Sequence, residues 1–205
     1  MSFPTAPQAM TADWIADKLG QPKGALKGFT AAAIGTGQMC DSFRLTLDWA
    51  DGPGLPPTIV AKCPSHDEAS RNIAALTATY VKEVSWYREL AAGSGVAAPH
   101  CYHADIADND VDFILLLSDL APARQGDQLA GLGLAGLAPC IDAAAGLHAL
   151  LWNDVRADAL PWLNRDTSQL VRALFPGLYE GFRERYAGRL DRDALDLGAG
   201  IVNRL

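Results

Sequence analysis

The sequence TIVAKCP, residues 58–64, decides how the fold is read because it places a lysine inside a short apolar run. Successive side chains of a strand point to opposite faces, so Lys62 would share one face with Val60. The other face would carry the apolar side chains at the odd-numbered positions. A charged group close to a protein interior is costly unless it is paired. The stretch therefore predicts a strand, and it predicts an acidic partner for Lys62.

Further strands are predicted on both sides of this stretch. Residues 43–49 alternate strictly between apolar and polar side chains, which indicates a half-buried strand between the turns GTG and ADGPGLPP. Short turns of this kind favour an antiparallel strand-turn-strand-turn-strand arrangement, in which the first strand precedes GTG and TIVAKCP is the third. Two more strands are predicted in GVAAPHCYHADIAD and DFILLLSDL, joined by an acidic turn at residues 107–112. The run FILLL is apolar at every position, which is typical of a central strand.

Helices are predicted before, between and after these strands. Residues 10–20 form a candidate short helix with Thr11 as its N-cap and Gly20 just after its end. Residues 67–92 are predicted to form one long helix, and residues 129–205 are predicted to be helical throughout. The apolar positions of the long helix recur at spacings of three and four: Ile73, Leu76, Tyr80, Val84, Tyr87 and Ala91.

The predicted fold class is α+β, with a strand-rich region followed by a helical region. The predicted domain boundaries are residues 1–118 for the first region, 119–128 for a hinge or linker, and 129–205 for the start of the helical region. Within the first region, residues 1–28 form an N-terminal helix and lead-in.

Glu83 is the candidate partner of Lys62. It lies three residues after Tyr80 and four before Tyr87, so it borders the apolar face of the predicted helix. An ion pair between strand and helix would fix the ammonium and leave N–H donors for an anion. In the alternative interpretation, Lys62 extends to a sheet edge and Glu83 faces solvent. Spacing alone leaves both interpretations open.

Composition restricts the class of partner and the compartment. The 205 residues carry a net charge of -7 and contain no basic run, so nucleic acid is not an expected partner. The N-terminal residues MSFPTAPQAM do not resemble a secretory signal. The weakly charged stretch LAGLGLAGLAPCIDAAAGLHALLW is interrupted by Pro139, Asp142 and His148, so buried helices are expected rather than a membrane span. Four cysteines without a C-x-x-C pair favour reduced thiols in a cytoplasmic protein.

The order of these elements resembles the N-terminal lobe of the protein-kinase-like fold. The motifs are similar to those of its small-molecule phosphotransferases, namely the aminoglycoside phosphotransferase, choline-kinase and ecdysteroid-kinase-like proteins. IGTGQMCDSFRLTL resembles their first hairpin, TIVAKCP their lysine strand, and YVKEVSWYREL their E-x-x-[FW]-Y-x-x-L helix. FILLLSDL resembles their hinge strand, and AAAGLHALLW the helix that follows the hinge. The resemblance covers about residues 30–155.

This resemblance implies an ATP-dependent phosphotransferase that acts on a hydroxyl group of a small molecule. It implies a kinase-like lobe with a five-stranded antiparallel sheet and one long helix, followed by a partial helical lobe. Lys62 would bind the phosphates of ATP, and Glu83 would orient Lys62. The nucleotide-binding positions implied by the family are Gly35, Thr36, Gly37, Lys62, Glu83, Ser118 and Leu120. The turn departs from a full G-x-G-x-x-G, since Cys40 replaces the third glycine.

The catalytic motif of the resembled family is missing from this sequence. A loop of the type H-G-D-x-x-x-x-N and a later metal-binding aspartate do not occur, so no catalytic residue is assigned, and magnesium ligands are expected beyond residue 205. HDEASRN has the right gap between Asp67 and Asn72, but it lies between the lysine strand and the helix. The chain alone is therefore expected to be inactive. Two other interpretations stay open: a non-catalytic nucleotide- or protein-binding module that self-associates, and an α+β protein in which Lys62 and Glu83 are structural.

Overall fold

The computed structural model describes residues 3–35, 37, 39–50, 54–127, 129–163 and 168–204. The protein is an α+β protein with one five-stranded antiparallel sheet of order β1-β2-β3-β5-β4, followed by helices. The strands are β1 Leu26–Ile34, β2 Cys40–Trp49, β3 Thr58–Pro64, β4 Cys101–Ile106 and β5 Phe113–Ser118. The five predicted strands are thus confirmed, and FILLL lies in the interior of the sheet.

The register of β3 fixes the position of Lys62. Lys62 lies opposite Ser42 of β2 on one side and opposite Leu115 of β5 on the other. Burial alternates along β3, with the odd-numbered side chains buried and the even-numbered ones partly exposed. The predicted division of faces is therefore confirmed, and Lys62 lies in the middle strand of the sheet.

Each face of the sheet is covered by helical segments. One face packs against helix α1, Ala12–Lys18, whose N-cap is Thr11 as predicted: its side chain accepts a hydrogen bond from the Trp14 N–H. This core contains Ile15, Leu45 and Ile59 among its buried residues. The opposite face carries Leu115, which packs in a second core with Tyr80 and Val84. Lys62 belongs to this second face.

The predicted long helix is broken in two. Helix α2 covers Glu68–Thr77 and α3 covers Thr79–Ser85, because Ala78 adopts the left-handed conformation with φ 54° and ψ 32°. The Thr77 hydroxyl donates to the Ile73 carbonyl at 2.8 Å and lies 2.7 Å from the Thr79 hydroxyl. Such local side-chain bonds compete with a regular helix. A π-helical turn, Trp86–Leu90, and a 3₁₀ turn, Ala91–Gly93, follow α3.

The break changes which side chains of this region are buried. Ile73 and Leu76, predicted on the apolar face, are exposed in α2, and Ala74 is buried instead. Tyr80 and Val84 of α3 are buried as expected, and Tyr87 is partly buried. The periodicity of three and four thus predicts the buried face of α3 but not that of α2.

Helices follow the sheet, and no strand occurs after Ser118 within the described ranges. They are α4 Leu134–Leu151, α5 Val155–Asp158, α6 Ser168–Arg185 and α7 Arg192–Val202. The chain divides into two compact units, Met1–Leu163 and Asn164–Leu205. In the second unit α6 packs against α7, with the Tyr179 hydroxyl donating to the Leu195 carbonyl at 2.6 Å.

The expectation of buried helices in residues 129–152 is wrong. Among the residues the structure describes, none after Leu117 is buried. This holds for every residue of α4, His148 among them. The apolar composition predicted a core, but composition does not reveal whether a partner surface is present. In the part of the chain described, α4 is the one helix long and apolar enough to cross a membrane, and a single helix of that kind is weak evidence for a membrane span.

Candidate functional site

The predicted pair of Lys62 and Glu83 is present. The Lys62 ammonium donates a hydrogen bond to Oε1 of Glu83, which joins β3 to α3. Both side chains are mostly buried, with 22% and 27% of their surface exposed. Burial alone would lower the pKa of Lys62, but the charge and hydrogen bond of Glu83 outweigh it, so that pKa lies above its ordinary value. The alternative in which Glu83 faces solvent unpaired does not hold.

Cys40 and Tyr87 complete the surroundings of this ion pair. Burial raises the pKa of the Cys40 thiol, and Lys62 opposes that rise through its charge and a hydrogen bond. Burial also raises the pKa of Tyr87, and the charge of Glu83 adds to the rise. The thiol and the phenol therefore stay neutral near pH 7, and Lys62 with Glu83 carries the charge of this cluster. A paired ammonium of this kind keeps further N–H donors with which it can bind an anion.

The glycine turn lies beside this cluster. Gly35 has φ +76°, in the left-handed region that favours glycine. A Cβ atom at Gly37 would lie 3.2 Å from the Cys40 carbonyl oxygen and 4.0 Å from its sulfur, so Gly37 allows the turn to approach Cys40 closely. Because Cys40 also interacts with Lys62, the turn and the ion pair are contiguous. Thr36, the predicted residue between the two glycines, lies outside the described residues.

The structure places Ser118 and Leu120 away from the ion pair. Ser118 lies opposite Ile59, three residues before Lys62 on β3, which corresponds to about 10 Å along the strand. The Ser118 N–H donates to the His100 carbonyl at 2.8 Å, and the Leu120 carbonyl accepts from the Ala123 N–H at 2.9 Å. A ligand at this segment would therefore have to use the Ser118 carbonyl and the Leu120 N–H.

An ion pair between Arg44 and Asp119 was not predicted from the sequence. Arg44 Nε donates to Oδ2 of Asp119 at 2.6 Å, and Nη2 donates to Oδ1 at 3.2 Å. The hydrogen bond from Arg44 lowers the pKa of Asp119 to about 2. The available signals were a polar position in an alternating strand and an acidic residue directly after a strand. Their separation of 75 positions in the sequence gave no reason to pair the two.

Asp67 in HDEASRN has a structural role. Its carboxylate caps α2 by accepting from the Ser70 N–H at 2.8 Å and from the Ser70 hydroxyl at 2.7 Å. The neighbouring His66 forms its own pair with Asp41, with 3.0 Å between Nδ1 and Oδ2. This agrees with the interpretation that the motif is not a catalytic loop. Across the described ranges, no group of three His, Cys, Asp or Glu side chains could hold a metal ion.

No protein-family model and no curated protein matches this sequence. The candidate site is therefore defined by its geometry: a charged lysine in the middle strand, its helical glutamate, and a glycine turn beside them.

Proposed function

We propose that this chain binds ATP and belongs to a phosphotransferase that transfers the γ-phosphoryl group to a hydroxyl group of a small molecule. The single observation that carries the proposal is the Lys62–Glu83 ion pair, joined through Cys40 to the turn at Gly35 and Gly37. A fixed ammonium beside backbone N–H groups of a glycine turn suits a polyphosphate chain. The sequence motifs described above support the same assignment.

The proposed binding mode divides the nucleotide between two segments of the sheet. The phosphates would contact Lys62 and the backbone at Gly35 and Gly37. The base would lie further along the sheet, where the Ser118 carbonyl and Leu120 N–H would bind adenine. ATP would supply the phosphoryl group. Magnesium would accompany the phosphates of ATP, as the resemblance implies.

The proposal is tested by nucleotide protection against thermal unfolding. At an ATP concentration about 100 times its Kd, binding should stabilise the native protein by about 2.7 kcal/mol and raise its Tm. Lys62→Ala should remove this protection and leave the circular dichroism spectrum nearly unchanged. Lys27→Ala is the matched control, since it removes an exposed lysine from the edge strand β1 of the same sheet.

Two outcomes would contradict the proposal. Equal ATP protection in the Lys62→Ala variant would assign any nucleotide to another site. No protection of the parent protein at any ATP concentration, with or without magnesium, would leave Lys62 and Glu83 with the structural role of joining β3 to α3.

A second candidate function is a non-catalytic module that binds a nucleotide or a protein. The observation that favours it is the exposure of apolar side chains in the helices after the sheet: Leu134 and Ile141 in α4 and, in the second unit, Leu178 and Leu197. We propose that these exposed side chains mediate self-association. Light scattering over a range of concentrations should then give a mass that rises above 21.8 kDa. A constant monomer mass would contradict self-association, and phosphoryl transfer to a hydroxyl compound would contradict the non-catalytic module.

The proposed setting is the cytoplasm, with a nucleotide and an unidentified small-molecule acceptor as partners. The net charge of -7 speaks against nucleic acid, whose phosphates require basic surfaces. The four cysteines are free thiols, which suits a reducing compartment. No membrane partner is proposed: the apolar helix α4 contains Pro139, Asp142 and His148.

A further inference from the structure

The ion pair between Arg44 and Asp119 joins β2 to the end of β5 across the intervening strand β3. Arg44, Val60 and Leu117 lie opposite one another in the adjacent strands β2, β3 and β5. The Arg44 side chain must therefore extend across the row of Val60 to reach Asp119, just beyond the end of β5. Two strand spacings separate β2 from β5, a distance of about 10 Å.

Arg44 lies on the sheet face that carries Lys62. Opposed residues of neighbouring strands share a face, and Lys62 lies two positions after Val60 on β3. The ion pair and the candidate phosphate site are thus on one face, at opposite ends of the same short stretch of β3. Asp119 lies between Ser118 and Leu120, the two residues proposed to bind adenine.

Hydrogen bonds and burial hold the Asp119 side chain in one position. Its side chain is only 6% exposed, and besides Arg44 it accepts a hydrogen bond from the Ala121 N–H at 3.0 Å. The Thr58 hydroxyl at the start of β3 also lowers the pKa of this carboxyl. Arg44 by contrast is 39% exposed. Its planar guanidinium therefore holds a nearly buried carboxylate in one orientation by two parallel hydrogen bonds, which a lysine could not do.

We propose that Arg44 is a positioning residue that holds residues 118–120 against β2 and β3, so that the base-binding groups of the nucleotide site are in place before the nucleotide binds. This inference rests on the proposed ATP binding. Arg44 acts through Asp119 on the base segment and leaves the phosphate segment at Lys62 unaffected. Its loss should weaken the binding of ligands that carry a base and spare ligands that consist of phosphates alone.

The test compares ATP with inorganic tripolyphosphate by isothermal titration calorimetry. Arg44→Met should weaken ATP binding by about tenfold, because it removes a charge-assisted hydrogen-bonded pair, while tripolyphosphate binding changes by less than about twofold. Asp119→Asn keeps the shape of the side chain and should likewise weaken ATP binding while leaving tripolyphosphate binding nearly unchanged. It replaces Arg44→Met in the test if that variant does not fold. Arg44→Lys should behave like Arg44→Met, since it restores the charge without the two-pronged geometry.

Arg88→Met is the matched control. Arg88 is 40% exposed and also pairs with a carboxylate near the sheet, with 2.5 Å between Nη2 and Oδ1 of Asp105 on β4. Its substitution removes an arginine of similar exposure, paired with a more exposed carboxylate, away from residues 118–120. It should leave the affinities for both ligands unchanged, whatever its effect on Tm.

The outcomes separate this inference from the proposed function. If the parent protein binds both ligands and the Arg44 and Asp119 variants keep its ratio of affinities, Arg44 is only structural and the inference is wrong. An equal loss of both ligands would overturn it in the same way. If the parent protein binds neither ligand, the proposed function itself fails and the inference falls with it.

Discussion

Leu115 in strand β5 and Leu178 in helix α6 carry the same side chain in opposite environments. Leu115 is 0% exposed and packs in the core between the sheet and α3, whereas 67% of Leu178 is exposed. The difference extends to their regions, since every buried residue that the structure describes lies at or before Leu117. The sheet with its covering helices forms its own hydrophobic core. The helices after it present apolar side chains that the described chain does not cover.

The two regions differ in what holds their secondary structure in place. The strands are held by hydrogen bonds to neighbouring strands, and the central strands β3 and β5 also by burial, so their positions are specified by many residues at once. A helix satisfies its own backbone and can form without a core, although most helical stability in proteins comes from packing. The candidate site lies in the sheet region, where hydrogen bonds between strands and burial together hold the backbone in place. Such a region suits side chains that must be held in fixed geometry.

The largest expected effect is on the free energy of unfolding when a leucine is truncated in each region. Leu115→Ala should cost about 2–5 kcal/mol, because it leaves a cavity in the buried core. In the monomer, Leu178→Ala should change stability by less than about 0.5 kcal/mol, because the side chain is exposed there. Urea unfolding followed by tryptophan fluorescence measures both. A large loss for Leu178→Ala would break the comparison and would mean that another surface covers α6 in solution, as self-association requires.

The alternation of residues predicted the sheet well because half-buried strands leave a direct record in the sequence. Phe43, Leu45 and Leu47 alternate with polar residues, and the same alternation placed Lys62 on the opposite face from Ala61. The partnership of Lys62 with Glu83 was one of two interpretations that the spacing left open, because a carboxylate that borders the apolar face of a helix can also face solvent. The structure decides between them, since the two side chains are hydrogen-bonded.

Other features left no such record. Alanine is a good helix former, so nothing at Ala78 itself announces the left-handed residue that separates α2 from α3. Arg44 and Asp119 meet only because β2 and β5 flank the same strand, a pairing that depends on the sheet order. The expected burial of α4 failed for a third reason: apolar composition expresses a tendency to be buried and does not supply the partner.

A smaller effect is expected from Glu83→Gln, which tests whether charge in the sheet region stabilises the fold. Lys62 would lose its partner in a mostly buried position, and stability should fall by about 1–3 kcal/mol at pH 7. The raised pKa of Lys62 gives this effect a pH dependence. A group whose pKa is raised by folding stabilises the native protein below the pKa of the unfolded chain, and this stabilisation is lost as the pH rises through the folded pKa.

The difference between the parent protein and Glu83→Gln should therefore be constant from neutral pH to about pH 10 and shrink above it, where Lys62 loses its proton. Thermal or urea unfolding at a series of pH values measures this. Glu89→Gln, at an exposed position in the π-helical turn after α3, is the control and should show no such trend. A difference that does not depend on pH would assign the effect to packing and not to the ion pair.

The smallest effect is expected for an ion pair in the helical region. Arg183 Nη1 and Glu180 Oε1 lie 3.0 Å apart within α6, and their side chains are 50% and 62% exposed. Water and salt screen exposed pairs, so Arg183→Ala should change the free energy of unfolding by less than about 0.5 kcal/mol, and added salt should abolish the difference. A loss as large as that of Glu83→Gln would show that this surface of α6 is shielded from water. The Lys62–Glu83 and Glu180–Arg183 ion pairs would then no longer differ in their exposure to water. Only the comparison of Leu115 with Leu178 would still distinguish the sheet from the helices.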